Sequence, residues 1–578
     1  MGLDDNIGFQ ANIGFQANIG FQANIAEVFE RVAARIPERE AVIAPSRRLT
    51  FAEVDERANR LANALVAAGI GCHTERADLE PWESGQDHVA LYLHNGPEYL
   101  EGMLAAWKAR GVSLNVNYRY VAEELVSLLL DADAKAIVYH ACFAPVIAEI
   151  RPHLPSLATL IQVADDSISL DNGGHLLDGA LDYETLLAES SPGRPELDRS
   201  PDDLYMVYTG GTTGLPKGVL WRQADIWAGA MGGADPRNGL EFESYGAAVE
   251  NAAEERVFPY LIAAPLMHGG GQWLAWLGWM GGDPVVFGHV IDRLDPADIL
   301  QTIEREECSF MIVIGNAFGR PILDELDRAI DAGTPYDFSS LKVLATGAAA
   351  MTTGVKEEFL AHRPGLRIID SMGASESGTQ GRNVSTDEGE VEAGVFEPGP
   401  GTCVISDDMT REIDASSGGS GWLARKGRIP LGYLGDPDKT RRTFPTIDAT
   451  RYSVPGDRAE WLPDGRLKLL GRDSVCINTG GEKVFVEEVE AVLHAHPAVR
   501  DAVVVGRPNE RWGNEVCAVV STSSPVTREE LIEHCHGHLA RYKLPRTVIA
   551  VPEVVRGPNG KADYRWAAQI AVEYQEES

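Results

Sequence analysis

The sequence predicts a layered α/β protein with more than one domain. Short apolar runs alternate with amphipathic helical patterns between Leu49 and Gly354, which is typical of α/β layers. At 578 residues the chain is also too long for a single hydrophobic core. The predicted strands are HVALYLH (88–94), AKAIVYH (134–140), DLYMVYT (203–209), ERVFPYLIAAPL (255–266) and FMIVIG (310–315).

The N-terminal region contains an exact repeat. The unit Asn-Ile-Gly-Phe-Gln-Ala recurs without change through residues 6–23. It fits the loose pattern of hexapeptide β-helices, but the run is too short to bury a core, so we interpret residues 1–24 as a peripheral extension. A helix is expected to begin at Ile25, because Asn24 and Glu27 have the spacing of a capping box.

The pattern changes again further along the chain. The Gly- and Glu-rich segment 229–255 interrupts the alternation and is expected to form a surface excursion or a lid. After Pro400 short strands and turns dominate, including a hairpin at 462–472 with Asp-Gly in its turn. The final part returns to helices and strands. We therefore divide the chain into residues 25–472 and 473–578.

Charge and cysteine usage restrict the class of partner. The net charge of -35 argues against binding to nucleic acid or to anionic lipid. The longest apolar stretch, 273–280, is shorter than a bilayer span, and no secretory leader is recognised. We predict a cytoplasmic protein with no integral membrane segment and with reduced, dispersed thiols at Cys72, Cys142, Cys308, Cys403, Cys476, Cys517 and Cys535.

A glycine- and threonine-rich loop, YTGGTTGLPKGV (208–219), is suited to binding phosphate. Backbone N–H groups in such a loop can form an anion-binding nest, and Lys217 adds a positive charge. The P-loop has Gly before its Lys and Ser or Thr after it, whereas Pro216 and Gly218 flank Lys217 here, so a P-loop is excluded. Taken alone, the loop is equally well explained as a flexible hairpin.

Further motifs follow this loop in order. Glu376 is the kind of hard oxygen ligand that Mg²⁺ takes beside phosphates, Asp457 is placed to bind a ribose diol, and Lys561 lies on a glycine-rich turn. Each motif is weak alone, but the order and spacing are specific. The stretches are DSMGASESG (370–378), YSVPGDRAEW (452–461), GRDSVCINTGGEKV (471–484) and GPNGKADY (557–564).

Together these motifs resemble the adenylate-forming superfamily of acyl-CoA synthetases, nonribosomal-peptide adenylation domains and firefly-type luciferases. The resemblance runs from about Ile25 to the C-terminus and includes GYLGDPDKTRRTF (432–444) and ARYKLPR (540–546). It implies a large N-terminal domain of two α/β subdomains plus a distorted β-barrel, and a small mobile α+β C-terminal domain. It also implies two steps: a carboxylate and ATP give acyl-AMP and pyrophosphate, and a thiol then displaces AMP.

The resemblance also implies roles for single residues. Lys561 would bridge the carboxylate and phosphate oxygens, and Glu376 would hold Mg²⁺ with Ser375 beside it. The implied nucleotide-binding residues are Thr209, Gly210, Gly211, Thr212, Thr213, Gly214 and Lys217 at the phosphates, Gly347, Ala348, Ala349, Asp370, Ser371, Met372 and Gly373 around the adenine, and Asp457 and Arg472 at the ribose. Ser474 is the implied hinge, and Gly480 and Gly481 would line the thiol tunnel.

Some positions depart from the family pattern without removing a charge that the chemistry needs. The family usually has Ser at the position of Gly210 and an aromatic residue at that of Met372. It usually has Thr at the position of Ser375, and Asp or Lys at that of Ser474. A thioether can still pack on adenine.

The segment APLMHGGGQWLAWLGWM (264–280) resembles the part that shapes the acyl pocket in acyl-CoA synthetases. Its glycines leave space, and its tryptophans offer apolar faces, although their spacing of three is equally typical of helix packing. His268 either lines this acyl pocket or is a histidine packed in the core. The residues assigned to the acyl and CoA site are His268, Gly269, Gly270, Trp273, Gly480 and Gly481.

The combination of NVNYRY (115–120), the phosphate loop and INTGGEKVFVEEVE (477–490) most resembles acyl-CoA synthetases of sterol-catabolising bacteria. This implies an ATP-dependent ligase that uses Mg²⁺ and coenzyme A to activate a bulky or long apolar acid, either a fatty acid or a steroid side-chain acid. An acyl-AMP ligase that passes the acyl group to a carrier protein and a luciferase-like oxygenase are the alternatives. A non-catalytic nucleotide-binding relative would be expected to lose Lys561 or Glu376. A homodimer is left open.

A histidine-rich stretch, HCHGH (534–538), invites a metal interpretation. It lacks the remaining ligands of a closed zinc site and lies in a helical pattern, so a solvated helix face is the better interpretation.

Overall fold

The computed structural model describes residues 20–164, 175–209, 216–347, 349, 351–389, 391–472, 475–479, 482–509, 513–539, 541–557 and 560–574. Most of the N-terminal repeat and the centre of the phosphate loop lie outside these residues. In the described part of the chain no helix is long and apolar enough to cross a membrane.

The strands and helices alternate through the first part of the chain, as expected. In chain order the strands up to residue 472 are β1 (Glu40–Ala44), β2 (Arg47–Thr50), β3 (His88–Tyr92), β4 (Val112–Asn115), β5 (Ala134–His140), β6 (Thr159–Val163), β7 (Leu181–Asp182), β8 (Leu204–Thr209), β9 (Lys217–Arg222), β10 (Tyr260–Ile262), β11 (Val285–Val286), β12 (Phe310–Val313), β13 (Val343–Thr346), β14 (Arg367–Ala374), β15 (Gly378–Ser385), β16 (Val395–Pro398), β17 (Thr402–Ile405), β18 (Glu412–Ile413), β19 (Gly419–Lys426), β20 (Gly432–Tyr433), β21 (Thr446–Ile447), β22 (Thr450–Ser453), β23 (Asp457–Trp461) and β24 (Leu467–Arg472).

The helices that cover these strands are α1 (Ile25–Arg35), α2 (Phe51–Ala67), α3 (Pro97–Lys108), α4 (Ala122–Asp131), α5 (Ala144–Ile150), α6 (Tyr183–Glu189), α7 (Gln223–Ala230), α8 (Tyr245–Ala252), α9 (Gly269–Met280), α10 (Pro296–Glu306), α11 (Gly315–Asp331), α12 (Thr353–His362) and α13 (Pro437–Thr443). Helix α1 begins at the predicted residue, because the Asn24 side chain accepts a hydrogen bond from the Glu27 backbone N–H.

Two parallel sheets form the α/β layers of the large domain. The first has the order β4–β3–β5–β6–β7, and its neighbouring strands all pair in parallel. The second has the parallel run β1–β11–β10–β12–β13–β14. The short hairpin β8–β9 continues to β20 in a third sheet. The mixed α/β class predicted from the sequence is confirmed.

The predicted strand at 255–266 is shorter in the structure, where only β10 (260–262) is regular. Pro259 and Pro265 flank it, and proline has no backbone N–H to donate to a ladder. The apolar run is therefore longer than the segment that can form hydrogen bonds with neighbouring strands.

Antiparallel strands follow β14 in the order β15–β16–β24–β23–β19–β17–β18, in the part of the chain where a distorted barrel is expected. The hairpin predicted at 462–472 is present as β23 and β24, and Leu462 N–H donates to the Arg466 carbonyl across its turn. Gly465 has a φ of 87°, which explains the glycine in this turn.

The excursion at 229–255 packs closely against the large domain. It contains α8, and its side chains Phe242, Ala248 and Ala252 are buried in the main hydrophobic core. The segment thus lies at the surface, as expected for an excursion, and one side of it packs on the main core.

The last part of the chain forms a separate antiparallel sheet with one parallel strand. Its elements are β25 (Ile477–Thr479), β26 (Glu482–Val484), α14 (Val486–His494), β27 (Val499–Asn509), β28 (Gly513–Thr522), α15 (Arg528–His536), β29 (Thr547–Ala550) and α16 (Tyr564–Glu573). The strand β24 belongs to the preceding sheet. The division of the chain after residue 472 stays a prediction, as does rotation about it.

The histidine-rich stretch lies at the end of α15. The Nε2 atom of His534 lies 3.0 Å from the Val492 carbonyl oxygen. Within the described residues, no group of three or more His, Cys, Asp or Glu side chains could hold a metal ion.

Candidate active site

The phosphate loop is closed by a strand pair. Thr209 and Lys217 pair with each other at the loop end of the β8–β9 hairpin. The Lys217 ammonium lies 3.5 Å from a carboxylate oxygen of Asp131, which also accepts a 2.9 Å hydrogen bond from the Tyr208 hydroxyl. Gly210, Gly211, Thr212, Thr213 and Gly214 lie outside the described residues, so their contact with phosphate stays a prediction.

The implied adenine site lies at the carboxyl ends of β13 and β14, which is where open α/β sheets bind their ligands. Thr346 pairs with Asp370 in the parallel ladder, so the residues that follow them are neighbours. A Cβ on Gly347 would lie 3.3 Å from the Ser371 carbonyl oxygen, which shows how closely the two backbones approach. Ala349 packs at the edge of the main core, whereas Ala348 lies outside the described residues.

Asp370 is a buried carboxylate at this edge. Burial raises its pKa, and the buried Lys356 ammonium, 3.2 Å away, opposes that shift. The pair lies in the part of β14 directly before Ser371, Met372 and Gly373.

The Met372 side chain points into the antiparallel core beside Phe396 and Leu467 and is only 6% exposed. Its thioether is thus used in packing the sheet, and Gly373, next to it in β14, is exposed. The nucleotide-binding role of these residues stays a prediction.

The two residues implied at the ribose face each other. Asp457 begins β23 and Arg472 ends β24, and the two pair directly across the antiparallel ladder. The backbone pairing therefore brings both residues to the same end of the β23–β24 hairpin, and their contact with a ribose stays a prediction.

Glu376 lies in the loop between β14 and β15, and that loop is held from several sides. The Tyr433 hydroxyl donates to Glu376 Oε1 at 2.9 Å, and the Ser453 hydroxyl donates to the Glu376 carbonyl oxygen. The Trp221 indole N–H donates to the Ser375 carbonyl oxygen at 2.9 Å. The buried Arg425 guanidinium donates to two further carbonyl oxygens of the loop, those of Ser377 and Thr379.

Positively charged side chains lie near this loop, although the chain as a whole is strongly acidic. The Lys439 ammonium lies 4.0 Å from the centre of the Tyr433 ring. Burial lowers the pKa of Lys439. The negative charge of Glu376 opposes that lowering and the positive charge of Lys217 adds to it, which shows that the three groups are close in space. The site therefore supplies the local positive charge that an anionic substrate needs.

His268 directly precedes α9, and the charge of Lys561 in the small domain acts on it. Burial lowers the pKa of its imidazole to about 4, and the positive charges of Lys561 and Arg119 act in the same direction. Its buried Nε2 atom has no hydrogen-bond partner among the described residues. A neutral imidazole with an unbonded Nε2 atom therefore lies within electrostatic reach of Lys561.

The glycines after His268 begin α9. A Cβ on Gly270 would have no neighbour within 4 Å, so space is open there, whereas a Cβ on Gly269 would lie 3.3 Å from the Trp273 ring. The Trp273 indole N–H donates to the Tyr205 hydroxyl at 3.1 Å. Trp276 and Trp279 are fully buried and pack against Phe29, so helix packing accounts for these two tryptophans.

Lys561 lies on a turn that reaches the large domain. A Cβ on Gly560 would lie 3.1 Å from the side chains of Ile314 and Ala317, which begin α11. The Arg556 guanidinium binds the Asp501 carboxylate at 2.7 Å and donates to the Gly560 carbonyl oxygen at 3.3 Å. The turn is thus tied to β27 of the small domain while its tip lies at the large domain. Ser474, Gly480 and Gly481 lie outside the described residues.

Several residues that support the site through hydrogen bonds and ion pairs could not be predicted from the sequence. Tyr433 lies within a motif quoted above, but nothing in that motif predicts its hydrogen bond to Glu376. Asp131, Trp221 and Arg425 act through contacts between residues far apart in the chain, for which the sequence gives no local signal.

Two α/β layers, an antiparallel region and a smaller C-terminal domain together define the fold of the adenylate-forming class of enzymes. The comparisons agree with this class. The model of the AMP-binding enzyme family matches residues 29–429, and that of the AMP-binding enzyme C-terminal domain matches residues 488–561. The chain belongs to the AMP-binding enzyme family.

Curated relatives match over nearly their whole length. The chain is 48% identical over 550 residues to a medium-chain acyl-CoA ligase, Mig, of Mycobacterium avium, covering 95% of this chain and 98% of the relative. It is 38% identical over 551 residues to a 3-oxocholest-4-en-26-oate–CoA ligase of Rhodococcus rhodochrous, covering 94% and 95%.

Solved structures share the fold. An anthranilate CoA ligase, AuaEII, in complex with anthranoyl-AMP matches with a TM-score of 0.77 at 21% identity, covering 96% of this chain and 98% of that one. ATP-bound MatB from Rhodopseudomonas palustris matches with a TM-score of 0.76 at 22% identity, covering 95% and 99%. These similarities support the fold alone.

Proposed function

We infer that the protein is an ATP-dependent acid–thiol ligase that joins an apolar carboxylic acid to coenzyme A through an acyl-AMP intermediate. One observation carries the assignment of the reacting centre: the turn of the small domain that bears Lys561 lies against the start of α11 in the large domain, within electrostatic reach of the buried His268. The relatives at 48% and 38% identity are acyl-CoA ligases, which supports coenzyme A as the acceptor over a carrier protein.

The first step brings together two anions, the carboxylate and the α-phosphate. Their repulsion must be neutralised by fixed positive charge, which is the largest contribution an active site makes to such a reaction. In our proposal Lys561 binds an oxygen of each reactant, and Lys217 binds the phosphates that leave as pyrophosphate. Asp457 and Arg472 bind the ribose hydroxyls, and the edge at Gly347 and Ser371 receives the adenine.

Glu376 fits the metal that the family uses. One of its carboxylate oxygens accepts from Tyr433, and a half-buried carboxylate held in this way suits Mg²⁺, which prefers oxygen ligands beside substrate phosphates. When bound, Mg²⁺ neutralises phosphate charge. The residues named here hold the nucleotide and orient the carboxylate.

The second step needs a thiol to reach the acyl carbon after pyrophosphate has left. We propose that the small domain then turns about Ser474, which withdraws Lys561 and brings Gly480 and Gly481 to the site. We further propose that the enzyme acts in the cytoplasm. A homodimeric assembly also stays a prediction.

The acid is proposed to be a medium- or long-chain fatty acid or a steroid side-chain acid. The open space beside Gly270 and the apolar face of Trp273 support a bulky apolar group. The named substrates of the relatives support the same range, since one is a medium-chain ligase and another acts on 3-oxocholest-4-en-26-oate.

The test is mass spectrometry of the products formed from ATP, Mg²⁺ and a panel of carboxylic acids, with and without coenzyme A. We expect AMP and an acyl-CoA, with an apolar acid preferred. Acyl-AMP that never passes to coenzyme A would mean that the acceptor is a carrier protein or another nucleophile. ADP as the product would contradict the proposed reaction.

A further inference from the structure

The described end of the last repeat unit, residues 20–23, lies together with Asn24 in a groove of the large domain. The Phe21 ring packs edge-on against Tyr245, with centroids 4.8 Å apart, and against Trp227 at 6.2 Å. Ala23 is fully buried. The unit therefore contacts the domain through more than its attachment to α1.

Polar contacts fix the backbone and side chains of this unit. Arg428 donates to the Phe21 carbonyl oxygen at 3.1 Å, and Arg222 donates to the Gln22 side-chain oxygen at 2.7 Å. The Asn24 backbone N–H donates to the Tyr245 hydroxyl at 3.1 Å. The Asn24 side-chain amide also donates to the Ser200 carbonyl oxygen at 3.0 Å.

The groove also favours glycine at the first position of the docked segment. A Cβ on Gly20 would collide with the carboxylate of Glu241. That carboxylate is held by Arg428 at 2.7 Å, so it could move aside only by weakening an ion pair. We call the residues Arg222, Trp227, Glu241, Tyr245 and Arg428 the repeat groove.

The docked pentapeptide Gly-Phe-Gln-Ala-Asn (20–24) occurs in identical form at 8–12 and 14–18. In the docked copy Phe21, Gln22 and Asn24 contact the domain through their side chains, Ala23 is fully buried, and Gly20 leaves no room for a Cβ. Both upstream copies therefore carry all the features that the groove contacts.

We propose that the repeat groove is a sequence-selective peptide-docking site whose ligand is the pentapeptide Gly-Phe-Gln-Ala-Asn. The copy directly before α1 fills it in the intact chain, because its tether gives that copy a high effective concentration. Loss of whole upstream units leaves the same sequence before α1 and hence the same docked structure. A separate peptide of the same sequence binds to the repeat groove when a substitution removes the contacts of the tethered copy.

The first test uses one substitution at two repeats. Removing residues 6–17 should leave the Tm unchanged, and Phe9→Ala in the full chain should do the same. Phe21→Ala in the shortened chain, which has no spare copy, should lower the Tm by roughly 2–4 °C because the aromatic contacts are lost. A Phe21→Ala shift no larger than that of Phe9→Ala would overturn the proposal.

The second test measures binding directly. A fluorescent peptide Asn-Ile-Gly-Phe-Gln-Ala-Asn is titrated into the shortened Phe21→Ala chain and followed by anisotropy. We expect saturable binding that weakens at least about 10-fold when the peptide's phenylalanine is replaced by alanine, since one anchor residue is then missing. Absence of binding, or equal binding of the two peptides, would contradict the proposal. Neither test depends on the reaction that the enzyme catalyses.

Discussion

Glu376 shows how a single residue of the site is positioned. The Tyr433 hydroxyl holds one carboxylate oxygen, and Ser453 holds the backbone of the same residue. A carboxylate restrained in this way can offer its other oxygen in a fixed direction, which is what an octahedral ion such as Mg²⁺ demands.

Tyr433→Phe should therefore raise the Mg²⁺ concentration needed for half-maximal acyl-AMP formation by about 10-fold, because loss of such a supporting hydrogen bond weakens metal affinity by that order. The measurement is pyrophosphate release against Mg²⁺ concentration. Tyr452→Phe is the matched control, since its hydroxyl contacts Glu412. Equal Mg²⁺ dependence in the two variants would contradict the positioning role.

His268 is a residue whose charge state depends on the fold. Burial lowers its pKa to about 4, so it is neutral throughout the physiological range. The unfolded value is about 6.5. Folding favours the neutral form, so this group contributes stability that is complete above about pH 6.5 and is lost as the pH falls toward 4.

His268→Gln should therefore reduce the loss of stability between pH 7 and pH 4, because glutamine does not titrate. Urea unfolding of both proteins at several pH values measures this. His153→Gln, on the exposed surface, is the control. The same loss in His268→Gln and the parent would show that His268 is not held in its neutral form.

At the scale of elements, the turn that carries Lys561 depends on its anchor. Arg556 connects the Asp501 carboxylate on β27 to the carbonyl oxygen of Gly560, the residue before the lysine. The turn has hydrogen bonds of its own, from Gly557 N–H to the Lys561 carbonyl oxygen and from Gly560 N–H to that of Gly557. Arg556 thus fixes the direction in which the turn points.

We expect Lys561→Ala to lower acyl-AMP formation at least about 100-fold, as loss of a charge-stabilising group does. Arg556→Met should lower the same step about 10-fold through misplacement of the lysine, with partial recovery in Arg556→Lys. Transfer of supplied acyl-AMP to coenzyme A should stay near the parent rate in all three. Equal loss of both half-reactions would show a general structural role.

Local patterns predicted many of the elements. The strand at 134–140 and the start of α1 follow from a continuous apolar run and a side-chain cap, which depend only on neighbouring residues. Local patterns do not predict which side of the segment 229–255 is buried. Its burial depends on a fit to α1 and to the docked repeat, which come from the other end of the domain.

The candidate site divides in the same way. The proposed ligand-binding residues lie in motifs that a reader can recognise in the chain. The supporting contacts do not: Tyr433 and Glu376 are 57 positions apart, and Lys217 and Asp131 are 86 apart. Such contacts depend on how sheets and loops come together, and sequence spacing carries no information on that.

At the scale of the whole molecule, charge and domain arrangement act together. The chain carries a net charge of -35, yet Lys217 and Lys439 lie near Glu376, and the charges of Arg119 and Lys561 act on His268. Lys561 comes from the small domain. The positive charge of the site is therefore complete only when that domain lies against the large one, as it does in this structure.

The central claim, activation through acyl-AMP, is tested most directly by isotope transfer. The enzyme is given a carboxylic acid labelled with ¹⁸O in its carboxylate, together with ATP, Mg²⁺ and coenzyme A. When the carboxylate oxygen attacks the α-phosphorus and the thiol later attacks the acyl carbon, the bridging oxygen leaves with the phosphorus. We predict AMP that carries one labelled oxygen and pyrophosphate that carries none. Label in phosphate or in ADP would mean attack at another phosphorus and would contradict the account.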